Sequence, residues 1–91
     1  MKTIALKLST GEELIARVIS DTTDYVIVSH VRVVGLHQDS QGRVGVGMTE
    51  YSLTNTDAEV KIYNQHIVCK YETSSEAERS YITATSGIAL A

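Results

Sequence analysis

Proline, phenylalanine and tryptophan are absent from this sequence of 91 residues, and cysteine occurs once, as Cys69. Without Phe or Trp the chain cannot build a large aromatic core, and its five tyrosines are the only rings available for stacking. A single cysteine cannot form an internal disulfide, and no Cys-X-X-Cys pair or Cys/His cluster offers a zinc site. Disulfide scaffolds and zinc-binding modules are therefore excluded. The use of a single cysteine is consistent with a protein of a reducing compartment.

Positive charge and long apolar runs are also scarce. The formal net charge is −3, from 8 Lys and Arg against 11 Asp and Glu. This disfavours a strongly basic nucleic-acid binder, because proteins that neutralise phosphates usually carry an excess of positive charge. It does not exclude a local basic region at the rim of a binding site. The sequence contains no run of about 18 apolar residues, the length that can span a membrane, and no apolar signal-peptide core follows Lys2. We expect a cytoplasmic protein with no membrane partner.

The residues that are abundant favour β-structure in one small domain. Val, Ile and Thr supply 28 of the 91 residues, and β-branched side chains are typical of sheet. A chain of this length forms a single domain, residues 1–91, and buries only about 60 to 65 per cent of its unfolded surface. Because such a chain is marginally stable alone, we expect it to form oligomers.

Alternating apolar and polar residues predict a series of short strands. Ile4, Leu6 and Leu8 share one face of the first strand, whose other face is expected to be exposed. Polar turns separate the strands, with Gly11 and Gly42 in two of them. The predicted strands are 3–8, 12–20, 25–36, 43–53, 60–62 and 66–71.

Two features predict strong curvature. The segment 25–36 is too long and too β-branched for a straight strand, and we expect a bend at Ser29–His30. Gly45 and Gly47 lie two residues apart and share a face of the return strand. A face without side chains predicts close approach of another group, or curvature, at that point.

The spacing of the apolar residues changes in the last segment from every second residue to every third or fourth, which predicts a helix over residues 76–85. Ser75 and Glu78 match a capping box with Ser75 as the N-cap, and Gly87 is expected to follow the helix. Ala77, Tyr81 and Ala84 form a modest apolar stripe that Ile88 could extend. About three turns are too few for stability alone, so we expect the helix to pack against the sheet or a neighbouring subunit.

Five strongly bent antiparallel strands in so short a chain favour a small closed barrel, since closure removes exposed edges. OB-fold, SH3-like and Sm-like barrels all fit this description. The segment Leu6–Asp21, with its Gly11-Glu12-Glu13 turn, resembles the first Sm motif, and Tyr25–Val28 would be the third strand. The segment Ile62–Val68 lies where the second Sm motif would be.

The second half departs from the better-known Sm-like families. Eukaryotic and archaeal members have Arg-Gly at the two positions that Tyr63 and Asn64 occupy in this chain. Bacterial Hfq has Tyr-Lys-His at the positions of Tyr63, Asn64 and Gln65, and Tyr63 is the one residue that matches. The segment Arg79–Ile88, together with the Gly11 turn, is similar to the divergent Sm-like proteins of marine cyanophages. The chain also departs from the better-known families because it lacks their N-terminal helix and carries a predicted helix at the C-terminus.

The resemblance implies a fold and a function. The expected fold is mostly β, a small, strongly bent, five-stranded antiparallel Sm-like (SH3-like) barrel over residues 3–71 with a short C-terminal helix over residues 75–86. Such proteins form homo-oligomeric rings of five to seven subunits, and the smaller rings are favoured here. The implied function is binding of single-stranded RNA, or DNA, in nucleic-acid processing or regulation. A phage origin would place the protein in the cytoplasm of a bacterial host cell.

By position in the two motifs, the resemblance assigns the pore-lining residues to Asp24, Tyr25, Tyr63, Asn64 and Gln65. A base stacked on tyrosine gains about 1 to 3 kcal/mol, and the two amides can donate to and accept from a base edge.

Three further candidates come from the residues themselves. Arg43 follows an exposed hairpin tip and Lys61 precedes the candidate turn, so both could contact phosphate. His66 could bind phosphate or change charge with pH.

Catalysis is not expected. Adjacent strand residues such as Glu12 and Glu13 point to opposite faces and cannot act as a paired acid and base. The spaced glycines of residues 42–47 lack the helix that a dinucleotide-binding loop opens. We predict a non-enzyme without cofactor or metal. Two alternatives stay open: a ring that binds only protein, favoured by the acidic balance and the missing Lys-His pair, and a monomeric OB-like barrel.

Overall fold

The computed structural model describes residues 2–55 and 57–86, which form an antiparallel sheet and one C-terminal helix. Gly87 and Ile88, the expected helix end and the last residue of its stripe, lie outside the described residues. In chain order the elements are β1 (Thr3–Leu8), β2 (Glu13–Asp21), β3 (Tyr25–Gln38), β4 (Val44–Glu50), β5 (Val60–Tyr63), a 3₁₀ turn (Asn64–His66), β6 (Ile67–Tyr71) and α1 (Ser75–Ser86).

The strands follow the order β4-β3-β2-β1-β6, and β5 pairs with the first residues of β3. The long strand β3 therefore contacts three others, with β5 at its start and β4 at its end. β4 and β6 stand at the two ends of the path. Each has one neighbour in the sheet and one edge that no described strand covers.

The core lies on one face of the sheet, where the alternation predicts it. Leu6 and Leu14 are opposite each other in β1 and β2, and both are completely buried. Val26 and Val28 of β3 and Ile62 of β5 add to the same cluster. Burying each such side chain contributes about 1.5 to 3 kcal/mol, so this cluster is the main source of stability.

Part of the other face of β1 is also buried, which corrects the prediction that this face would be exposed, although Lys7 is exposed. Ala5 is 5% exposed and Ile15 of β2 is 1% exposed, although both point away from the core cluster. α1 covers this face: Thr3 donates a hydrogen bond to the Glu78 carboxylate, and the hydroxyl of fully buried Tyr81 donates to the main-chain oxygen of His30 at 2.7 Å. The expectation that the helix packs on the sheet is confirmed.

The bend expected in the third strand is present at His30, which has a positive φ of 52°. Such a conformation is uncommon for a residue with a side chain. The β2–β3 register also shifts twice, between Ile15 and Arg17 and between Val18 and Ser20. Irregularities of this kind increase the local twist, so β2 and β3 curve together.

Some predicted boundaries were wrong. The return strand ends at Glu50 rather than at residue 53. Ser74, not Ser75, caps the helix: its hydroxyl accepts from the Ala77 N–H at 3.1 Å, and its carbonyl accepts from the Glu78 N–H at 2.9 Å. Glu78 contacts Thr3 of the sheet, so the tertiary contact replaces the predicted capping box.

The glycines of β4 differ from each other. The ring of His37 fills the space beside Gly47, where a Cβ atom would overlap it, whereas nothing lies close to Gly45. Close approach is therefore confirmed at Gly47, and a side chain of the neighbouring strand makes it. Among the helices of the described residues, none is long and apolar enough to cross a membrane.

Candidate nucleic-acid interface

The short strand β5 brings the predicted aromatic residues together. Tyr63 pairs with Tyr25 of β3, and Lys61 pairs with Ile27 two residues further along. Between them Ile62 enters the core and is 8% exposed. Because side chains alternate along a strand, Lys61 and Tyr63 point outward on the same face.

Tyr25, Lys61 and Tyr63 form an aromatic and cationic cluster on this outer face. The two rings meet edge to face, with their centroids 6.1 Å apart and their planes at 73°. The Lys61 ammonium lies 4.5 Å from the centroid of the Tyr25 ring, within cation–π distance. Tyr63 is 51% exposed. The cluster thus presents an accessible ring beside a positive charge.

The 3₁₀ turn is tied to the loop before β3 through Asn64. The Asn64 main-chain N–H donates to the Asp24 carbonyl at 2.9 Å. Its side-chain amide donates to the carbonyls of Thr22 and Thr23, at 3.3 and 3.0 Å. Asn64 Oδ1 is buried without a partner among the described residues. Asn64 and Asp24 therefore hold the two loops together and position the cluster.

Gln65 and His66 are exposed and follow directly. The Gln65 amide nitrogen lies 3.3 Å from Nε2 of His66. This distance is within hydrogen-bond range. Both side chains remain accessible to a ligand beside Tyr63.

Arg43 is apart from the other predicted residues. It lies at the hairpin tip beyond Gln38, at the opposite end of β3 from Tyr25. Its Nε contacts the Asp39 carboxylate at 2.8 Å. Hydrogen bonds from the main-chain N–H groups of Arg43 and Gln41 and from the Arg43 side chain hold the pKa of the exposed Asp39 below its ordinary value. Arg43 thus already has an anionic partner.

A cavity next to the cluster adds residues that the sequence analysis did not identify. It has a volume of about 260 Å³, and Lys61, Tyr63 and His66 line one side of it. Tyr51 lines it from the segment after β4, and Thr10 and Glu12 from the β1–β2 turn. The sequence predicts Tyr51 within the return strand, but it follows the end of β4. The Gly11 turn was a signal for Thr10 and Glu12, but only the fold brings them to Tyr63.

Other parts of the described structure have fewer side chains that could bind a ligand. A larger cavity of about 550 Å³ lies between α1 and β4, lined by small and aliphatic side chains with Glu76 as the one charged residue. Among the described residues no three His, Cys, Asp or Glu side chains are grouped so as to hold a metal ion. The cluster at β5 is therefore the best candidate site.

No family model matches the chain, and no curated protein matches it.

Proposed function

We propose that this chain is an Sm-like subunit that assembles into a homo-oligomeric ring and binds single-stranded RNA, or DNA, in nucleic-acid processing. The observation that carries the proposal is the cluster of Tyr25, Lys61 and Tyr63 beside the 3₁₀ turn. An accessible ring stacks a base of any kind, and a neighbouring ammonium attracts the phosphate backbone.

The pairing of the strands supports a closed Sm-like barrel. β1 pairs with both β2 and β6, and β3 pairs with both β2 and β5. The 3₁₀ turn, three residues long, joins β5 directly to β6. A path through these strands therefore returns to its start, with the turn completing the step between β5 and β6. The barrel we propose would contain the core cluster.

The strand edges support a ring. β4 and β6 are at opposite ends of the sheet path, so each would offer to another copy an edge that no strand of the described residues pairs with. Unpaired edges associate readily, and pairing of β4 with the β6 of a neighbour is a head-to-tail contact that can close. Val46 of β4 is 70% exposed and Val68 of β6 is 66% exposed. Both side chains would gain apolar contacts in this pairing. The resemblance to Sm-like proteins implies a ring of five to seven subunits.

Binding of labelled single-stranded oligonucleotides, followed by fluorescence anisotropy, tests the function. Tyr63→Ala removes the exposed ring and should weaken RNA binding about tenfold or more, because stacking contributes about 1 to 3 kcal/mol per base. Tyr63→Phe keeps the ring and should bind as the unchanged protein does. The mass of the assembly should be the same in both variants. Unchanged affinity of Tyr63→Ala in an intact ring would contradict the binding site.

Arg43→Ala separates phosphate contact from base contact in the same assay. A phosphate contact carries no base information, so its loss should weaken binding evenly across sequences and reduce the salt slope by about 1. The effect should be smaller than that of Tyr63→Ala, because Asp39 already holds Arg43. A change in base preference would show that Arg43 contacts bases instead.

A ring that binds only protein is the second candidate. The exposed apolar side chains Leu36 and Val44 on the β3–β4 hairpin favour it, since apolar patches mark interaction surfaces. A ring that binds none of the oligonucleotides at low salt would contradict the first proposal and favour this alternative.

A further inference from the structure

A carboxylate lines the cavity beside the aromatic cluster. Glu12 is partly buried, and its Oε1 accepts a hydrogen bond from the Thr10 hydroxyl at 2.9 Å. A carboxylate repels phosphate, so it does not serve contact with a nucleic-acid backbone. It is acceptor-only, with Oε2 and one lone pair of Oε1 still available, so a group that it binds must carry hydrogen-bond donors.

Main-chain hydrogen bonds hold the walls of this cavity in place. Leu8 donates to the carbonyl of Glu12 at 2.8 Å, which closes the β1–β2 turn. Ser9 donates to the carbonyl of His66 at 2.8 Å and so joins that turn to the 3₁₀ turn. Tyr51 donates to the carbonyl of Val31 at 3.2 Å. A cavity organised before binding loses less entropy when a ligand enters.

The size and lining of the cavity fit one planar base. Its volume of about 260 Å³ is below the range for drug-sized ligands, which suits a single nucleobase. Tyr51 is 37% exposed and Tyr63 51% exposed, so both rings retain surface for stacking. Lys61 and His66 lie on the same lining and can bind the phosphates on either side of the base.

We propose, resting on the proposed function, that this cavity binds a guanine base of the RNA, with Glu12 accepting from the base edge and Tyr51 and Tyr63 as its walls. Guanine presents a ring N–H beside an amino group, so one carboxylate accepts from both. Adenine and cytosine present one amino group beside an acceptor nitrogen, and uracil one N–H between two carbonyls. Those acceptors repel Glu12, so guanine is preferred.

The test compares a U-rich RNA carrying isolated guanines with the same RNA carrying adenine at those positions, each titrated by fluorescence anisotropy. The unchanged protein should bind the guanine RNA about tenfold more tightly, the discrimination typical of a bidentate contact. Glu12→Gln still accepts from Thr10 but presents an amide to the base, so it should lose the preference and keep binding. Glu72→Gln removes the same charge at an exposed position outside the cavity and should keep the preference.

The outcomes separate this inference from the proposed function. Equal affinity of the unchanged protein for the two RNAs would overturn the guanine pocket and leave RNA binding intact. The pocket would likewise fail if Glu12→Gln tightened binding of both RNAs with the ratio unchanged, since Glu12 would then act only as a charge. Failure to bind either RNA at low salt would overturn the proposed function and the pocket with it.

Discussion

Tyr81 is the residue that joins the helix to the sheet. Its ring is fully buried, and its hydroxyl donates to the carbonyl of His30, the residue at which β3 bends. Burial raises the pKa of Tyr81 above its ordinary value of 10.0, and the positive charges of Arg17 and Arg32 oppose this shift. The neutral phenol is therefore favoured in the folded protein, because the anion would lose hydration under α1.

Tyr81→Phe tests this role through pH. Below pH 10 the phenol is protonated in folded and unfolded chains alike, so its contribution to stability is fully present. As pH rises through the folded pKa this contribution is lost, since the unfolded chain releases its proton first. Tyr81→Phe should cost about 1 kcal/mol at neutral pH through the lost hydrogen bond, and should reduce the alkaline fall in stability.

Urea unfolding at pH 8 and above pH 10 measures the change. Tyr71→Phe is the comparison variant: burial and the hydrogen bond to the Glu13 carboxylate raise the pKa of Tyr71 to about 12, so this variant should also reduce the alkaline fall, but it leaves the contact between Tyr81 and His30 in place. An alkaline fall in Tyr81→Phe as steep as in the unchanged protein would contradict the account of Tyr81.

The site residues show what a sequence can predict at this scale. Tyr25 and Tyr63 could be proposed together because the resemblance to the two Sm motifs implies that both line one site, and Lys61 could be added because it precedes the candidate turn. Glu12 and Tyr51 could not, since they meet Tyr63 only through the curvature of the sheet and the path of the segment after β4. Contacts between distant segments depend on tertiary structure, which local patterns do not encode.

Among the elements, the strands and the helix lie where their sequence patterns predict them, and the differences are at their ends. The first strand and the bend at His30 lie where predicted, because alternation and turn residues act locally. The helix cap differs by one residue, since Glu78 contacts Thr3 rather than completing the local motif. The burial of Ala5 likewise depends on α1 and could not be seen in the alternation of β1.

Deleting residues 74–91 tests the contribution of the helix. The deletion exposes Ala5 and Ile15 and removes Tyr81 from its site. Losing one buried aromatic side chain costs about 3 to 5 kcal/mol, so the melting temperature should fall by about 10 °C or more. Differential scanning calorimetry measures the fall, and sedimentation shows whether the assembly changes size. A truncated protein that melts and sediments like the full chain would show that the helix does not stabilise the sheet.

The whole molecule is elongated, with extents of 44 × 28 × 27 Å. The β3–β4 hairpin contributes exposed apolar side chains, among them Leu36 at 78% exposure, that no described element covers. At each end of the sheet path lies an edge that no described strand covers, and the apolar hairpin lies beside one of them. A small domain of this kind would gain contacts by association, as we propose. At this scale the sequence predicts a need for partners, whereas the pair of free edges comes from the topology.

Native mass spectrometry of the protein mixed with a guanine-containing U-rich RNA at low salt tests the central claim most directly, because one spectrum reports both assembly and binding. We predict a species of five to seven subunits carrying RNA, and a ring of the same size without RNA when none is added. A monomer, with or without RNA, would contradict the ring, and a ring that never carries RNA would contradict the nucleic-acid function.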